Sequence, residues 1–572
     1  MSMQPRPWPD VPELTERVAR ASFPKGNLAM RLRDELGLVY DDERFSEAFG
    51  VRGRPGISPG QLMMVTVLQF TENLTDRAAA DAARDRVSWK YALGLDLECS
   101  GFDASVLCEF RSRLVGGDLV TLALDALLER LVAAGLVKAG GRQRTDSTHV
   151  LGAIRHLNRL ELAGESVRAG LEALAVAAPD WLAGVIDASW QERYGARIQQ
   201  MRLPESAARR RELMVAYGVD GYHLLERVYA PGAPGWLREL PAVQALRRIW
   251  VQQFYRTIGA RGQVVRRREP ASEGGDGVPP GHIRLISPYD LDARYGVKRE
   301  KGWDGYKVHF SETCDPVDPA QRDADAAAGR GERANLVTGV LTTMATTADA
   351  AALEQVHRGL ARNRVLPGEH LLDSGYPSAE QLVRAARVYG ITLVTPALLD
   401  TSAQARAGAG YDLSAFTVDF DTRRGTCPQG KSSSSWSPCH QRESEAIVIS
   451  WAKKDCGPCP VRHLCTKALR RQITIRDRDL HEALTANRAE QSSQEWKGRY
   501  AVRAGIEGTM RQSTHVTGIR TARYRGLDKT TLEHNLAATA INTIRLYAYW
   551  TGHALDRTRT THLAKLDFTL TA

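Results

Sequence analysis

Cysteine is scarce in this chain, with eight in 572 residues, too few for a disulfide-stapled scaffold. Five of them (Cys427, Cys439, Cys456, Cys459 and Cys465) crowd into one short region, which points to metal. Uninterrupted apolar runs are also missing. The stretch Leu119 to Val137 is broken by Asp125, Glu129 and Arg130, so no segment is expected to span a bilayer. The opening Met1-Ser-Met-Gln-Pro-Arg-Pro-Trp-Pro has no apolar segment behind its positive charge, which predicts no secretory signal and a soluble, cytoplasmic protein. No internal repeat is visible. What is present is base: 77 Lys and Arg against 67 Asp and Glu give a net charge of +10 and a pI of about 9.2. That balance favours a polyanionic partner. At roughly 150 residues per domain, the length predicts two to four domains.

Residues 1–137 read as a helical domain. Ser58-Pro59, Thr75-Asp76 and Asp103 each precede an apolar-periodic segment, as helix caps do. Short helices with tight turns suit a DNA-binding domain, where Arg77, Arg84, Arg86, Lys90, Arg111 and Arg113 either meet phosphates or simply solvate helix faces. Residues 138–155 carry a strand, Arg142 to Leu151, with Asp146 among polar neighbours. Residues 156–300 return to helical periodicity, with Trp181, Trp190, Trp236 and Trp250 spaced through it. The Pro- and Gly-rich Arg266 to Gly281 reads as a linker. Residues 301–396 alternate strands with helices: Tyr306, Val308 and Phe310 share one strand face, Leu336 to Met344 forms a second strand, and His370 to Asp373 a third. Residues 397–490 hold the cysteines, and residues 491–572 contain a helix from about Ser493 to Gln512 and another from about Thr530 to Trp550. The fold class expected is α/β, with helical additions.

Asp373 stands where an apolar strand meets the turn Ser374-Gly375-Tyr376, and Glu507 lies inside a predicted helix. Phosphodiester chemistry stabilises charge on both the attacking and the leaving oxygen. Two divalent ions about 4 Å apart do this when carboxylates hold them, and Mg²⁺ prefers carboxylate and water. Asp146, Asp373 and Glu507 are the candidate set. Tyr500, Arg503 and Glu507, at i, i+3 and i+7, share one face of an unbroken helix. The plain alternative is a packed Tyr beside an Arg503–Glu507 ion pair.

The segments around these acids resemble bacterial insertion-sequence transposases of the DDE type. That family places its third acid in the pattern Tyr, two residues, Arg, three residues, Glu, six residues, Lys. Tyr500, Arg503 and Glu507 match it, while Thr514 stands where Lys is expected, with Arg511 or His515 as substitutes. Trp303 to Lys307, Asp373 to Tyr376, Arg523-Tyr-Arg525-Gly-Leu527, Asn535 and Asn542 match as well. So does the helical stretch from about Gly53 to Val115. The resemblance implies an RNase H-like mixed-sheet core. It also implies two Mg²⁺ ions (or Mn²⁺) on Asp146, Asp373 and Glu507, and DNA contacts from Tyr500, Arg503, Arg511, Arg523, Arg525 and Lys307. The expected activity is hydrolysis at the element's terminal repeats and joining to target DNA, by a homodimer associated with the nucleoid. The rival readings are a nuclease of the same fold that does not join, and a catalytically inactive zinc-stabilised regulator.

Cys456-Gly-Pro-Cys459 with Cys465, and Cys427 upstream, make four thiols for a structural Zn²⁺ that would staple an insertion with little core of its own. Cys439, His440 and His463 remain alternatives to Cys427, and an iron–sulfur cluster is the other metal reading. Between Gln491 and Thr530, eight basic residues face three acidic ones, the composition of a phosphate-holding groove.

Overall fold

The computed structural model describes residues 2–553, apart from Gln4, Val51, Arg54, Pro55, Arg261, Asp276, Arg299, Leu398, Leu399, Arg442 and Glu443. In the N-terminal third, α1 (Pro59–Thr71) is apolar on nearly every side and buried almost throughout. A helix of this kind must be central, and shorter helices surround it. Its start is set by Ser58, whose hydroxyl accepts from the Gln61 amide at 3.1 Å, with Pro59 in the first turn.

Six strands form the main sheet: β1 (Arg142–Leu151), β2 (Arg294–Lys298), β3 (Lys301–Thr313), β4 (Val337–Met344), β5 (Glu369–Leu372) and β6 (Thr392–Val394). The order across it is β4–β3–β1–β5–β6, with β2 extending the long β3 as a hairpin. β3 runs antiparallel to β1 and β4, while β5 is parallel to β1 and β6 to β5. This is a mixed sheet of RNase H-like order. A helix, α3 (Asp349–Arg362), makes the crossover between β4 and β5. The last described helix, α5 (Leu527–Thr551), packs across the sheet, and its Asn542 side chain bonds both the N–H (2.7 Å) and the C=O (2.8 Å) of Val337. The end of the edge strand β4 is thereby closed to further pairing. Apolar residues of α1, such as Leu68 and Phe70, join Val308 and Phe310 of β3 and Leu536 and Ile541 of α5 in one continuous core.

The insertion after β1 has its own core, built around Trp190, Leu246 and Trp250. It begins with α2 (Arg159–Ala177), capped reciprocally by Asn158 and Glu161. It ends in a hairpin of Phe254–Gly259 and Gly262–Arg267. Arg266 and Arg267 therefore belong to a strand, paired with Tyr255 and Phe254, and the stretch expected as a linker loses its first two residues to that ladder. The cysteine-bearing segment carries a separate three-stranded sheet whose core is Phe416, Ile449, Trp451, Ile473 and Ile475.

Candidate active site

The parallel register between β1 and β5 pairs Thr145 with Leu372. Asp146 is the next residue on β1 and Asp373 the first residue past β5, which sets the two side by side, about one strand spacing apart. The backbone N–H of Ser147 donates to Asp146 Oδ1 at 2.7 Å, and that of Gly375 to Asp373 Oδ1 at 2.9 Å. Arg503 lies between the two acids, with Nη2 2.6 Å from Asp146 Oδ2 and 3.8 Å from Asp373 Oδ2. Burial pushes the Asp146 carboxyl above the ordinary aspartate range, against the pull of Arg503, and the neighbouring Asp373 adds to the push. Arg503 Nε is itself buried without a hydrogen-bond partner, so the guanidinium is held through its Nη2 hydrogen bond and ion pair to Asp146. Two carboxylates thus converge on one cation position, which is the donor set a hard divalent ion takes.

The helix expected to run unbroken through Glu507 is divided: Gln494–Ala501 is α-helical, Val502–Gly505 is a 3₁₀ turn, and α4 (Ile506–Thr517) follows. The cause lies on β1, where Arg144 Nη1 takes the Val502 carbonyl at 2.5 Å. Gly505 lets the guanidinium pass, since a Cβ there would collide with it. Arg144 is in turn fixed by Glu312 of β3, fully buried, which also binds Arg545 of α5 at 2.9 Å and the Thr509 hydroxyl of α4. Four residues at three per turn rotate Glu507 by roughly 80° relative to a continuous α-helix. Its side chain is exposed, and among the described residues no hydrogen bond or ion pair joins it to Asp146 or Asp373. Nor do three or more His, Cys, Asp or Glu side chains stand together in a metal-holding arrangement among the described residues.

A carboxylate that sequence reasoning passed over stands beside the pair. Asp349 opens α3 and accepts from the Ser147 hydroxyl at 3.2 Å and from Lys307 Nζ at 3.1 Å. A Cβ at Gly375 would sit 3.1 Å from Asp373 Oδ1 and 3.3 Å from Asp349 Oδ2, so both acids flank that turn. In the sequence, Asp349 looks like an ordinary first-turn aspartate, and only the β3–β4 pairing that brings it beside Lys307 distinguishes it.

The other expected DNA contacts divide by setting. Lys307 is partly buried between Asp349 and the Thr347 carbonyl. The Tyr500 ring stacks on Trp496, with centroids 4.8 Å apart. Burial raises its hydroxyl pKa; Arg503 opposes this, and Asp373 and Asp146 add to it. Arg511 is exposed on α4. Arg523 instead ties the core to the N-terminal helices: it bonds Asn73 and the Leu74 carbonyl and lies over the Phe70 ring. Arg525 donates to the Ala153 carbonyl at 3.0 Å. Of the N-terminal basic residues, Lys90 is buried on the carbonyls of Leu97 and Cys99, and Arg111 pairs with Asp76 beneath Tyr524. Arg84, Arg86 and Arg113 pair with Asp81, Glu72 and Glu109, and Arg77 is exposed.

Cys427, Cys456, Cys459 and Cys465 line one small cavity of about 40 Å³. Burial raises the Cys465 thiol pKa, Arg471 opposes this, and the three neighbouring thiols raise it further.

Two families match the chain. One described as Transposase domain (DUF772) covers residues 17–113, and one described as Transposase DDE domain covers residues 426–547. The second match includes Arg503, Glu507 and the four clustered cysteines, while Asp146 and Asp373 lie between the two. No curated protein and no solved structure matches. No helix among the described residues is long and apolar enough to cross a membrane. A transposase match toward each end of the chain, with a mixed sheet of RNase H-like order presenting paired aspartates between them, makes the chain similar over those stretches to DDE-type transposases of the insertion-sequence kind.

Proposed function

We propose that the chain cuts DNA at the ends of an insertion sequence and joins the freed 3′ ends to target DNA, with Asp146, Asp373 and Glu507 as its catalytic acids. The observation that carries this reading is the convergence of Asp146 and Asp373 on the single cation of Arg503. Asp146 and Asp373 would hold one Mg²⁺ or Mn²⁺ ion, with Glu507 completing the site from α4. Bound divalent ions supply charge stabilisation for the attacking and leaving oxygens. Arg503 neutralises the acid pair and stands within reach of a phosphate placed there. Lys307 balances Asp349, and Tyr500 is stacked on Trp496. Exposed Arg511, one turn past Glu507, is placed for the flanking backbone. A homodimer would bring the two terminal repeats together. Cys427, Cys456, Cys459 and Cys465 line one cavity, and closing them around a structural Zn²⁺ would require the thiols to draw together, since among the described residues they do not stand in a metal-holding arrangement.

The test is cleavage and joining of labelled DNA bearing the flanking element's ends, with Mg²⁺ or with EDTA. The natural protein is expected to cut and join only with Mg²⁺, and Glu507→Gln to bind the DNA but do neither. Cleavage without joining would make the chain a nuclease. Binding without cleavage in either protein would make it a regulator.

A further inference from the structure

We propose that an arginine-lined cavity where the helical insertion meets the core is a seat for a DNA backbone phosphate. This rests on the DNA-processing reading above and names a contact site outside the acid cluster. The cavity holds about 200 Å³. Four guanidinium groups reach it from four separate stretches: Arg155 just past β1, Arg168 on α2, Arg197 in the turn after the helix Ala188–Tyr194, and Arg525 ahead of α5. Its one lining carboxylate, Glu165, is already engaged by the Arg168 side chain, the Tyr289 hydroxyl and the Ile198 amide (2.6 Å). Tyr289 also accepts from Arg168, and Arg525 lies over its ring, 5.5 Å from the centroid.

Arg155 splits its guanidinium between Glu161 (2.9 Å) and the Ile198 carbonyl (2.5 Å). The Ile198 N–H and C=O are thus both tied down, by Glu165 and Arg155, which fixes the backbone that carries Arg197. Arg197 itself is exposed and makes no hydrogen bond or ion pair among the described residues. A guanidinium with a fixed base and an unspent fork, beside three others, is preorganised for the oxygens of a phosphate. Arg155 follows Asp146 by nine positions, a span of at most ~30 Å. One strand with a phosphate about every 3.4 Å can therefore touch both places.

The test uses the full chain, a labelled duplex of arbitrary sequence and a rising NaCl series, comparing the natural protein with Arg197→Ala and Arg197→Lys. Arg197→Ala should weaken binding and flatten the slope of log K against log salt by about 0.9, the contribution of one phosphate contact. Its melting temperature should stay unchanged, and Arg197→Lys should restore the slope. Unaltered affinity and slope in Arg197→Ala, with the natural protein binding normally, would overturn the phosphate seat and leave the transposase reading intact. No binding by the natural protein would overturn both. If inorganic phosphate alone raises the melting temperature in an Arg197-dependent way while duplex binding does not change on substitution, the seat serves a free anion and the DNA assignment fails.

Discussion

Asp146→Asn should abolish Mg²⁺-dependent cleavage while leaving the fold and DNA binding in place. The substitution keeps the shape of the side chain, and an amide oxygen can still accept the Ser147 N–H seen at 2.7 Å. What it removes is one of the two negative charges that converge on the Arg503 position. Losing partners outside a metal's own ligand shell typically costs about 10–100-fold, so loss of a direct ligand should exceed that range. Stability should change little. Burial already penalises the Asp146 charge, which offsets much of the lost attraction to Arg503. Initial cleavage rates, read beside a melting curve, separate the two effects. A rate within about tenfold of the natural protein would remove Asp146 from the ion-holding set, because outer partners alone account for that much.

The second large effect is expected at Glu312, which touches no substrate in this account. Its carboxylate is fully buried between Arg144 and Arg545, whose side chains are 7% and 8% exposed. Glu312→Ala leaves two desolvated guanidinium groups without their counter-ion, and breaking a buried pair in this way costs about 3–5 kcal/mol. The loss should also be directional. Arg144 holds the Val502 carbonyl and Glu312 holds Thr509, so the segment from Val502 through α4 should loosen from the sheet. Arg503 would loosen with it. Hydrogen exchange is expected to rise first in residues 502–517, with a lower melting temperature overall. Glu312→Gln, which keeps the shape and one acceptor, should lose less. Unchanged exchange in that segment would show that Glu312 does not staple it.

The positions of Asp146 and Asp373 were legible because each belongs to a short strand pattern, Asp146 within β1 and Asp373 at the turn that ends β5, and the parallel register then sets them side by side. The start of α1 followed from Ser58-Pro59 for a similarly local reason. The break between Ala501 and Ile506 was not legible, since it is imposed by Arg144, 358 residues away in the chain, and nothing in Val502-Arg-Ala-Gly505 demands a 3₁₀ turn. Asp349 stayed hidden because its partners, Lys307 and Ser147, reach it only through sheet pairing. The intramolecular partners of Arg523 were not legible, because an arginine looks alike in sequence whether it faces phosphate or lies, as here, over the Phe70 ring and beside the Leu74 carbonyl. Local patterns gave the strands and caps, while the partner of each long charged side chain depended on tertiary contacts.

The central claim is that Asp146, Asp373 and Glu507 act on one metal site, and the most direct measurement is a crystal structure of the protein with DNA ends and Mn²⁺, with the ion located by anomalous scattering. The account predicts a peak between Asp146 and Asp373, in the place Arg503 Nη2 now takes, with the Glu507 carboxylate turned in to join them. Mn²⁺ bound elsewhere, or at the aspartates with Glu507 still facing solvent beside a DNA 3′ end, would contradict it.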